Sequence, residues 1–582
     1  MTDQPFSAEQ QEYLKGFMAG VEARRGTLAP GGGAAGGQGG GMPPDALRAA
    51  QDATLARGGK LVAQEEAKRA RHPLDRWEEI TARAEKGQFP KGVDDFLARY
   101  HGLFFVGPAQ DAFMCRLRIP GGIVSSAQLE GIAAIAEECA GGYADVTTRA
   151  NLQLREIPAA KGPEVVMRLG DLGLLPRGTG ADNVRNITAS PTAGIDAAEL
   201  LDTRPLLRAL HHHILHTRDL FALPRKFNIA LSGGGQVEVL QETNDISLTA
   251  VEAPAGLRFR LTLGGITGHR DFARGTGVVV PPGEVVRVCD AILRAFIAEG
   301  DRTDRKTARL KYVLDRMGVE GFLALVEQRL GAPLERVEEA ALRPPAPPLK
   351  HGHVGVHAQK QPGLSYIGVV TPVGRLDAER LRGLAAIARR FGSGTLRLTV
   401  WQNLLISDVP EAALPSALDG IAALGLTHEA SAIRGGLVAC TGNAGCKFAA
   451  SNTKRHAAEL ADFLEARLTL DQPINIHLTG CHHSCAQHYV ADIGLLGAKV
   501  ERGEEMVEGY DLHVGGGAGP EQAIGRLIAP KVAADELGAR VLALLQGWLA
   551  QRASGESFHA FCVRHDDAAL AALAAARAEE MA

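Results

Sequence analysis

A stretch of 39 residues occurs twice, 252 positions apart, and the two copies align without a gap. Residues 120–158 (PGGIVSSAQLEGIAAIAEECAGGYADVTTRANLQLREIP) match residues 372–410 (PVGRLDAERLRGLAAIARRFGSGTLRLTVWQNLLISDVP) at 13 positions, including a shared GxAAIA and the pairs Asn151/Leu152 and Asn403/Leu404. Self-similarity of this kind is the mark of one supersecondary unit built twice. Each copy predicts an apolar strand ending in a turn, then a helix with apolar positions at helical spacing (Leu129, Ile132, Ile135), then a strand (145–148 and 396–400), then another short strand. Such a unit is a small α+β layer with its sheet covered on one face. A second pair of segments, NIALSG at 228–233 and NIHLTG at 475–480, continues the match at an offset of 247. The chain is therefore a tandem duplication, joined by the proline-rich stretch 343–349 (RPPAPPL). Duplicated halves that pack about a pseudo-two-fold axis leave a cleft between them, and clefts at domain interfaces favour ligands. The chemistry is expected there.

With 582 residues the chain has room for several domains, which excludes a small binding module. Hydrophobic residues at 45%, charged residues at 22% and a net charge of −4 describe a soluble globular protein without a nucleic-acid partner. No apolar run is long enough to span a membrane, and the start, MTDQPFSAEQQEY, lacks the pattern of a secretory signal. The expectation is a cytoplasmic protein with no membrane partner, a setting in which clustered cysteines mean metal or redox chemistry rather than disulfides. Residues 28–44 are rich in glycine, alanine and proline and predict a flexible linker within an N-terminal extension, 1–72, that has helical pieces around Phe17 and over 47–71. A phosphate-cradling role for these glycines fails because no strand precedes them and no GK[ST] follows.

Four of the eight cysteines fall in the second half, Cys440 and Cys446 in CTGNAGC and Cys481 and Cys485 in GCHHSC. Two loops can bring these four thiolates together to hold an iron–sulfur cluster or zinc, and the five-residue gap of the first pair disfavours zinc. The first copy has Thr188 where the second has Cys440, so the fold itself does not require the thiols. Cys115, Cys139, Cys289 and Cys562 sit in apolar or helical contexts and are expected to be buried small hydrophobes. The run His211–His213 with His216 has helical spacing but no acidic or cysteine neighbours in sequence.

The segments CTGNAGC and LTGCHHSCAQHYVADIGLLGAKV resemble the signature of the sirohaem-dependent nitrite and sulfite reductases, as do HAQKQPGLSYIGVVTPVGR (357–375), RLTVWQN (397–403), TTRANLQ (147–153) and LPRKFN (223–228). The resemblance covers residues 73–565. It implies an α+β fold in which ferredoxin-like halves (73–175 and 343–430) accompany two larger α+β domains (176–342 and 431–582) about a pseudo-two-fold axis. It also implies sirohaem and a [4Fe–4S] cluster, with Cys440, Cys446, Cys481 and Cys485 as cluster ligands and Cys485 shared with the sirohaem iron. The macrocycle carries eight carboxylates and the substrate is an oxyanion, so fixed cations are required. By resemblance Arg116, Arg185, Lys226 and Asn228 face the substrate, with Arg118 the alternative to Arg116, while Arg149, Asn151, Gln153 and Arg225 face the macrocycle. Asn228 resembles the nitrite type, whereas a lysine there resembles the sulfite type. His482 and His483 replace the family's usual Pro-Asn. VGGGAGPE (514–521) lacks the spacing and βαβ setting of a dinucleotide loop and resembles a glycine turn near the cofactor. The resemblance further implies a monomer that reduces nitrite to ammonium with six electrons from a separate ferredoxin. Sulfite reduction is the nearest alternative, the related monooxygenase of cobalamin biosynthesis is opposed by the basic motifs, and a non-catalytic metal scaffold is the alternative of another class.

Overall fold

The computed structural model describes residues 45–575 apart from Glu238. The expected linker at 28–44 and the helical piece around Phe17 lie outside the described residues. Four five-stranded sheets form two matched pairs. The first sheet runs, in spatial order, Leu103–Phe105, Phe113–Arg116, Asn151–Ile157, Tyr143–Thr147 and Arg375–Asp377; the second runs Gly355–Ala358, Leu364–Val369, Leu404–Pro410, Thr395–Leu398 and Ile123–Ser125. Each sheet thus takes its fifth strand from the other repeat, Arg375 pairing with Asp145 and Ile123 with Arg397. The exchanged strands are themselves equivalent, 123 and 375 being one offset apart.

Local sequence explains the shared unit. The helices Ser126–Cys139 and Ala378–Phe391 start at equivalent caps, Ser125 and Asp377, whose side chains accept from the backbone N–H groups of Gln128 and Arg380. Their apolar faces (Leu129, Ile132 and Ile135; Leu381, Leu384 and Ala388) enter one core common to both repeats. Gly122 and Gly374, at φ 75° and 76°, sit where the repeats approach closest: a Cβ would lie 2.5 Å from the Leu398 carbonyl in one case and 2.9 Å from the Val146 carbonyl in the other. The last strand of each repeat, Asn151–Ile157 and Leu404–Pro410, is a full seven residues, longer than the short strand expected.

The third and fourth sheets share one topology. Thr188–Ala189, Ile229–Ser232 and Ile246–Ala253 are parallel neighbours, extended by the antiparallel strands Gly256–Leu263 and Arg274–Val280; Gly436–Ala439, Asn475–Thr479, Ile493–Arg502, Glu505–Val514 and Arg526–Ala533 repeat that order. Each sheet packs one face on helices, Val285–Glu299 and Leu310–Leu330 in the first case, Thr453–Glu465 and Leu537–Gln551 in the second. Helices Ala46–Ala56 and Ala63–Ala70 join the first of these cores through Leu47 and Ala50 and through a buried charge network. No helix among the described residues is long and apolar enough to cross a membrane.

Candidate functional site

Parallel pairing places the cysteines. The loop 440–446 leaves the strand Gly436–Ala439 and the loop 481–485 leaves its neighbour Asn475–Thr479, so both emerge from the same end of the sheet. The Cys440 thiol accepts from the Gly480 N–H at 3.1 Å, and Thr453 donates to the Cys440 carbonyl at 2.7 Å. Burial, followed by the neighbouring Cys485, Cys446 and Cys440, pushes the Cys481 thiol up to about 12. Burial raises Cys485 as well, Cys440 adds to it, and Lys226 and Arg116 from the first half oppose it. Thr148, also from the first half, donates to the Cys485 carbonyl at 2.8 Å. Cys485 is solvent-exposed.

This donor set fits a cubane cluster. Among the described residues no three His, Cys, Asp or Glu side chains are placed to share one ion. Four thiols that act on one another electrostatically, all of them cysteine, are the donor set of a cluster with irons at separate corners. Cys115, Cys139, Cys289 and Cys562 are buried and distant in role, and burial pushes Cys115, Cys289 and Cys562 up to about 12.

Facing the thiols is a wall of cations. The backbone bonds Arg185 N–H to Phe227 carbonyl (2.8 Å) and Phe227 N–H to Asn183 carbonyl (3.0 Å) zip two loops together, so Arg185, Lys226 and Asn228 share one rim. Arg116 ends the strand Phe113–Arg116 with its guanidinium over the Phe104 ring at 4.6 Å. Burial lowers Arg116 to about 10 and Arg185 well below its ordinary value, and each of them adds to the other's repulsion or to that of a neighbouring arginine. Lys226 is lowered to about 7 by burial first, then by Arg309, with Arg185 and Arg225 acting in the same sense and Cys485 against it. Among the described residues no carboxylate pairs with Arg116, Arg185 or Lys226. Cations desolvated, crowded and left without acidic partners make a receptor for an anion.

The remaining candidates separate. All three arginines donate to carbonyls of the loop 177–185, Arg116 to Thr179 (3.3 Å), Arg185 to Ala181 (2.8 Å) and Arg118 to Arg177 (3.1 Å) and Val184 (2.8 Å), but Arg118 is 3% exposed while Arg116 and Arg185 are half-buried. Asn151, expected at the macrocycle, is buried and donates its amide N–H to the Leu117 carbonyl. Gln153 lies directly opposite Arg116 on the neighbouring strand and accepts from Arg155 at 2.8 Å. Arg149 reaches Asn244 Oδ1 (3.0 Å) and the Asn186 carbonyl (2.8 Å), and burial lowers it to about 9. Arg225 is half-buried beside Asp182 and Arg305. Asn228 is fixed by its N–H to Asp245 at 2.8 Å, and Asp245 is clamped by Arg309 at 2.7 Å. Arg309 is a residue that sequence reasoning missed, since nothing marks it among the other basic residues of RTDRKTARLK. His482 and His483 are exposed, with His483 lowered to about 4 by burial, then by His482 and Lys226. His213 does have an acidic partner, Asp290 at 2.8 Å from the helix Val285–Glu299, itself held by Arg294; this is a packing contact between helices. The glycine turn of 515–517 packs on the carbonyls of Tyr489 and Ala491, shortly after Cys485. A cavity of about 1020 Å³ lies elsewhere, under the proline-rich linker, and gathers none of the cysteines or rim cations.

Comparison with known proteins agrees with this geometry. Residues 180–334 and 431–558 match the family described as nitrite and sulphite reductase 4Fe-4S domain, and residues 107–172 and 357–424 match its ferredoxin-like half domain. The ferredoxin–nitrite reductase of Synechococcus elongatus is 40% identical over 451 residues, covering 75% of this chain and 86% of that protein. Sulfite reductase [ferredoxin] 1 of Mycolicibacterium paratuberculosis is 35% identical over 467 residues, covering 78% of this chain and 82% of that protein. The structure of the Mycobacterium tuberculosis NirA protein superposes with a TM-score of 0.82 at 32% identity, covering 89% of this chain and 99% of that one. Two repeats, four cysteines and a facing basic rim thus belong to one lineage, and the chain is a member of the nitrite and sulphite reductase family.

Proposed function

We propose that this chain is a ferredoxin-dependent nitrite reductase that carries sirohaem and a [4Fe–4S] cluster and converts nitrite to ammonium. The overall change consumes one nitrite, six electrons and eight protons and releases one ammonium and two waters. The observation that carries the reading is the rim of Arg116, Arg185 and Lys226, none of them in an ion pair with a carboxylate among the described residues, completed by Asn228 and set against Cys485.

Cys440, Cys446, Cys481 and Cys485 would hold the cluster, with Cys485 shared, and Arg149, Gln153 and Arg225 would meet the macrocycle carboxylates. When bound, these groups supply single electrons and an open iron position for the substrate nitrogen. The chain's own residues do the rest. Arg116 and Arg185 bind the oxyanion and offset negative charge as N–O bonds break. Lys226, lowered to about 7, holds its proton loosely enough to give it up near neutral pH. The wall of Phe104 under Arg116 limits the guanidinium to one side of the cleft. The reading takes 73–175 and 343–430 as the ferredoxin-like units, 176–342 and 431–582 as the two larger domains, and a single chain as the working unit.

Nitrite is favoured over sulfite by Asn228, because a sulfite dianion calls for one more cation than a nitrite monoanion. Steady-state turnover of both substrates with the Asn228→Lys variant tests this. The ratio of sulfite to nitrite turnover is expected to rise at least tenfold, a difference of about 1.4 kcal/mol in transition-state binding; an unchanged ratio refutes the pocket assignment.

A further inference from the structure

Behind the loop that carries Cys440 and Cys446 lies a buried charge node contributed by both repeats. Asp145, 3% exposed on the strand Tyr143–Thr147, accepts from Arg375 through both oxygens (2.9 and 3.2 Å), lies 3.1 Å from Arg155 Nε and 3.8 Å from Lys454. Arg155, 5% exposed, points its other nitrogens across the interface into the second half, donating to Thr441 Oγ1 at 2.7 Å and to the Gly445 carbonyl at 3.2 Å. Lys454 opens the helix Thr453–Glu465 and donates to the Val373 carbonyl, while its neighbour Thr453 holds Cys440. One carboxylate against three cations, of which Arg155 and Lys454 are buried and Arg375 is part-exposed, leaves a net positive charge behind the cysteine loop.

The other half of the molecule shows which part of this node the fold needs. At the constant offset of 252, Asp145 corresponds to Arg397, Arg155 to Ser407 and Gly445 to Ala193. Arg397 is buried, donates to Ser407 Oγ at 3.2 Å, and crosses to the carbonyls of Ala193 (2.7 Å) and Pro191 (3.0 Å). The loop that follows the equivalent strand is therefore pinned through its backbone carbonyls in both halves by an arginine of the opposite repeat, although the arginine sits on different strands. The pin is common to both halves, so the fold uses it. Only the cysteine half places the pin on a carboxylate that gathers two further cations, and only that half has thiolates in the pinned loop.

We propose that Arg155, oriented by Asp145, is a positioning residue that fixes the Cys440–Cys446 loop for the cluster and sets the cluster's reduction potential through the positive node behind it. A cluster held by thiolates is anionic and gains a further negative charge on reduction. A buried net positive charge favours the reduced form and raises the potential. Hydrogen bonds from the guanidinium to Thr441 and Gly445 keep the loop in the shape that presents both thiols. The inference rests on the cluster assignment, and the parent protein checks that assignment separately: a parent without iron and sulfide overturns the cluster, whereas the variants test the node.

The experiment compares the purified full chain with Arg155→Met, Arg155→Lys, Thr441→Val and Arg397→Met, measuring iron and sulfide per chain, the electron paramagnetic resonance spectrum of the reduced cluster, and its midpoint potential. Arg155→Met is expected to retain less than half of the parent's iron and sulfide, with the residual cluster at a more negative potential. Arg155→Lys keeps the charge and should return the potential toward the parent value. Arg397→Met should lower the thermal midpoint while leaving iron, sulfide and potential at the parent level. Parent-like iron, sulfide and potential in Arg155→Met overturn the proposal, as does an equal cluster loss in Arg397→Met. If Arg155→Met does not fold, Thr441→Val decides: a changed spectrum or potential supports the role, and an unchanged one refutes it.

Discussion

Glu65→Gln should destabilise this protein more than Lys68→Met, although the two side chains are partners. Helix Ala63–Ala70 brings Glu65 and Lys68 into contact with Asp182, Arg302 and Arg305. Lys68 lies 3.3 Å from Asp182 and donates to the Leu223 carbonyl at 3.1 Å; Arg302 meets Glu65 at 2.8 Å, and Arg305 grips both Asp182 oxygens at 2.7 and 2.8 Å. All but Arg305 are at most 1% exposed at the side chain. The directly ion-paired group holds two carboxylates and three cations, with the half-buried Arg225 acting on Asp182 from outside it. Removing the Glu65 charge leaves three cations on one carboxylate, an uncompensated buried charge of the kind that costs about 3–5 kcal/mol. Removing the Lys68 charge leaves two matched pairs, so the loss is confined to its charge-assisted hydrogen bonds, about 1.5–3 kcal/mol, and the added methionine surface offsets part of that. Urea unfolding followed by far-ultraviolet circular dichroism compares the midpoints at equal m-value. A Lys68→Met variant as unstable as Glu65→Gln, or more so, refutes the charge count.

Three further outcomes follow from the site and its supports. Cys485→Ser should abolish both nitrite reduction and the coupled sirohaem spectrum, since one sulfur is assigned to both groups; an unchanged absorbance and rate would remove that assignment. Arg116→Met should raise the KM for nitrite while Arg118→Met lowers the thermal midpoint with little change in KM, because Arg116 is half-buried whereas Arg118 is buried beneath the loop whose carbonyls it bonds; a KM effect of equal size in both would reverse the roles. Burial lowers His353 to about 3 and His477 to about 4, against an ordinary 6.5 that the unfolded chain retains. Between pH 6.5 and 4 the unfolded chain binds more protons, so stability is full above 6.5 and falls with acidification, by roughly 1.4 kcal/mol per pH unit for each histidine. His353→Phe, which keeps the stack on Trp401, should flatten the pH dependence of the urea midpoint; an unaltered slope would exclude His353 as a source.

The parts of this molecule that repeat were the parts legible in sequence. Two helices with matching caps, the strands that flank them and the paired cysteine loops all follow from patterns within a few residues of one another. What depends on distant partners was not legible. Asn151 carries the family pattern of a cofactor residue, yet the Leu117 carbonyl, 34 positions earlier in the chain, claims its amide. Arg116 and Arg118 differ by two residues on one chain segment and both bond the loop 177–185; only the depth of burial, Arg118 buried and Arg116 half-buried, separates them. His213 looked isolated because Asp290 is 77 residues away. Helices Ala46–Ala56 and Ala63–Ala70 belong to a weakly patterned stretch, and their anchoring comes from charges whose partners lie more than a hundred residues downstream.

Why the two halves had to diverge follows from electrostatics. The reciprocal strands Ile123–Ser125 and Arg375–Asp377 tie each ferredoxin-like sheet to the other repeat, so the paired unit is built as one body with a single shared core. Two identical halves in that arrangement would place the same charge on both walls of the cleft. With cysteines on both sides the cluster and an anionic substrate would face no fixed cation; with arginines on both sides nothing would hold a cluster. One copy keeping thiolates and the other keeping Arg116, Arg185 and Lys226 sets opposite charges across the cleft, where the attraction between Cys485 and those cations is directed. The swap of Asp145 for Arg397 at equivalent positions extends the same division into the support behind the loops, because the half that must hold an anionic cluster gains cations there and the other keeps only the structural pin. A net charge of −4 over the chain conceals this separation.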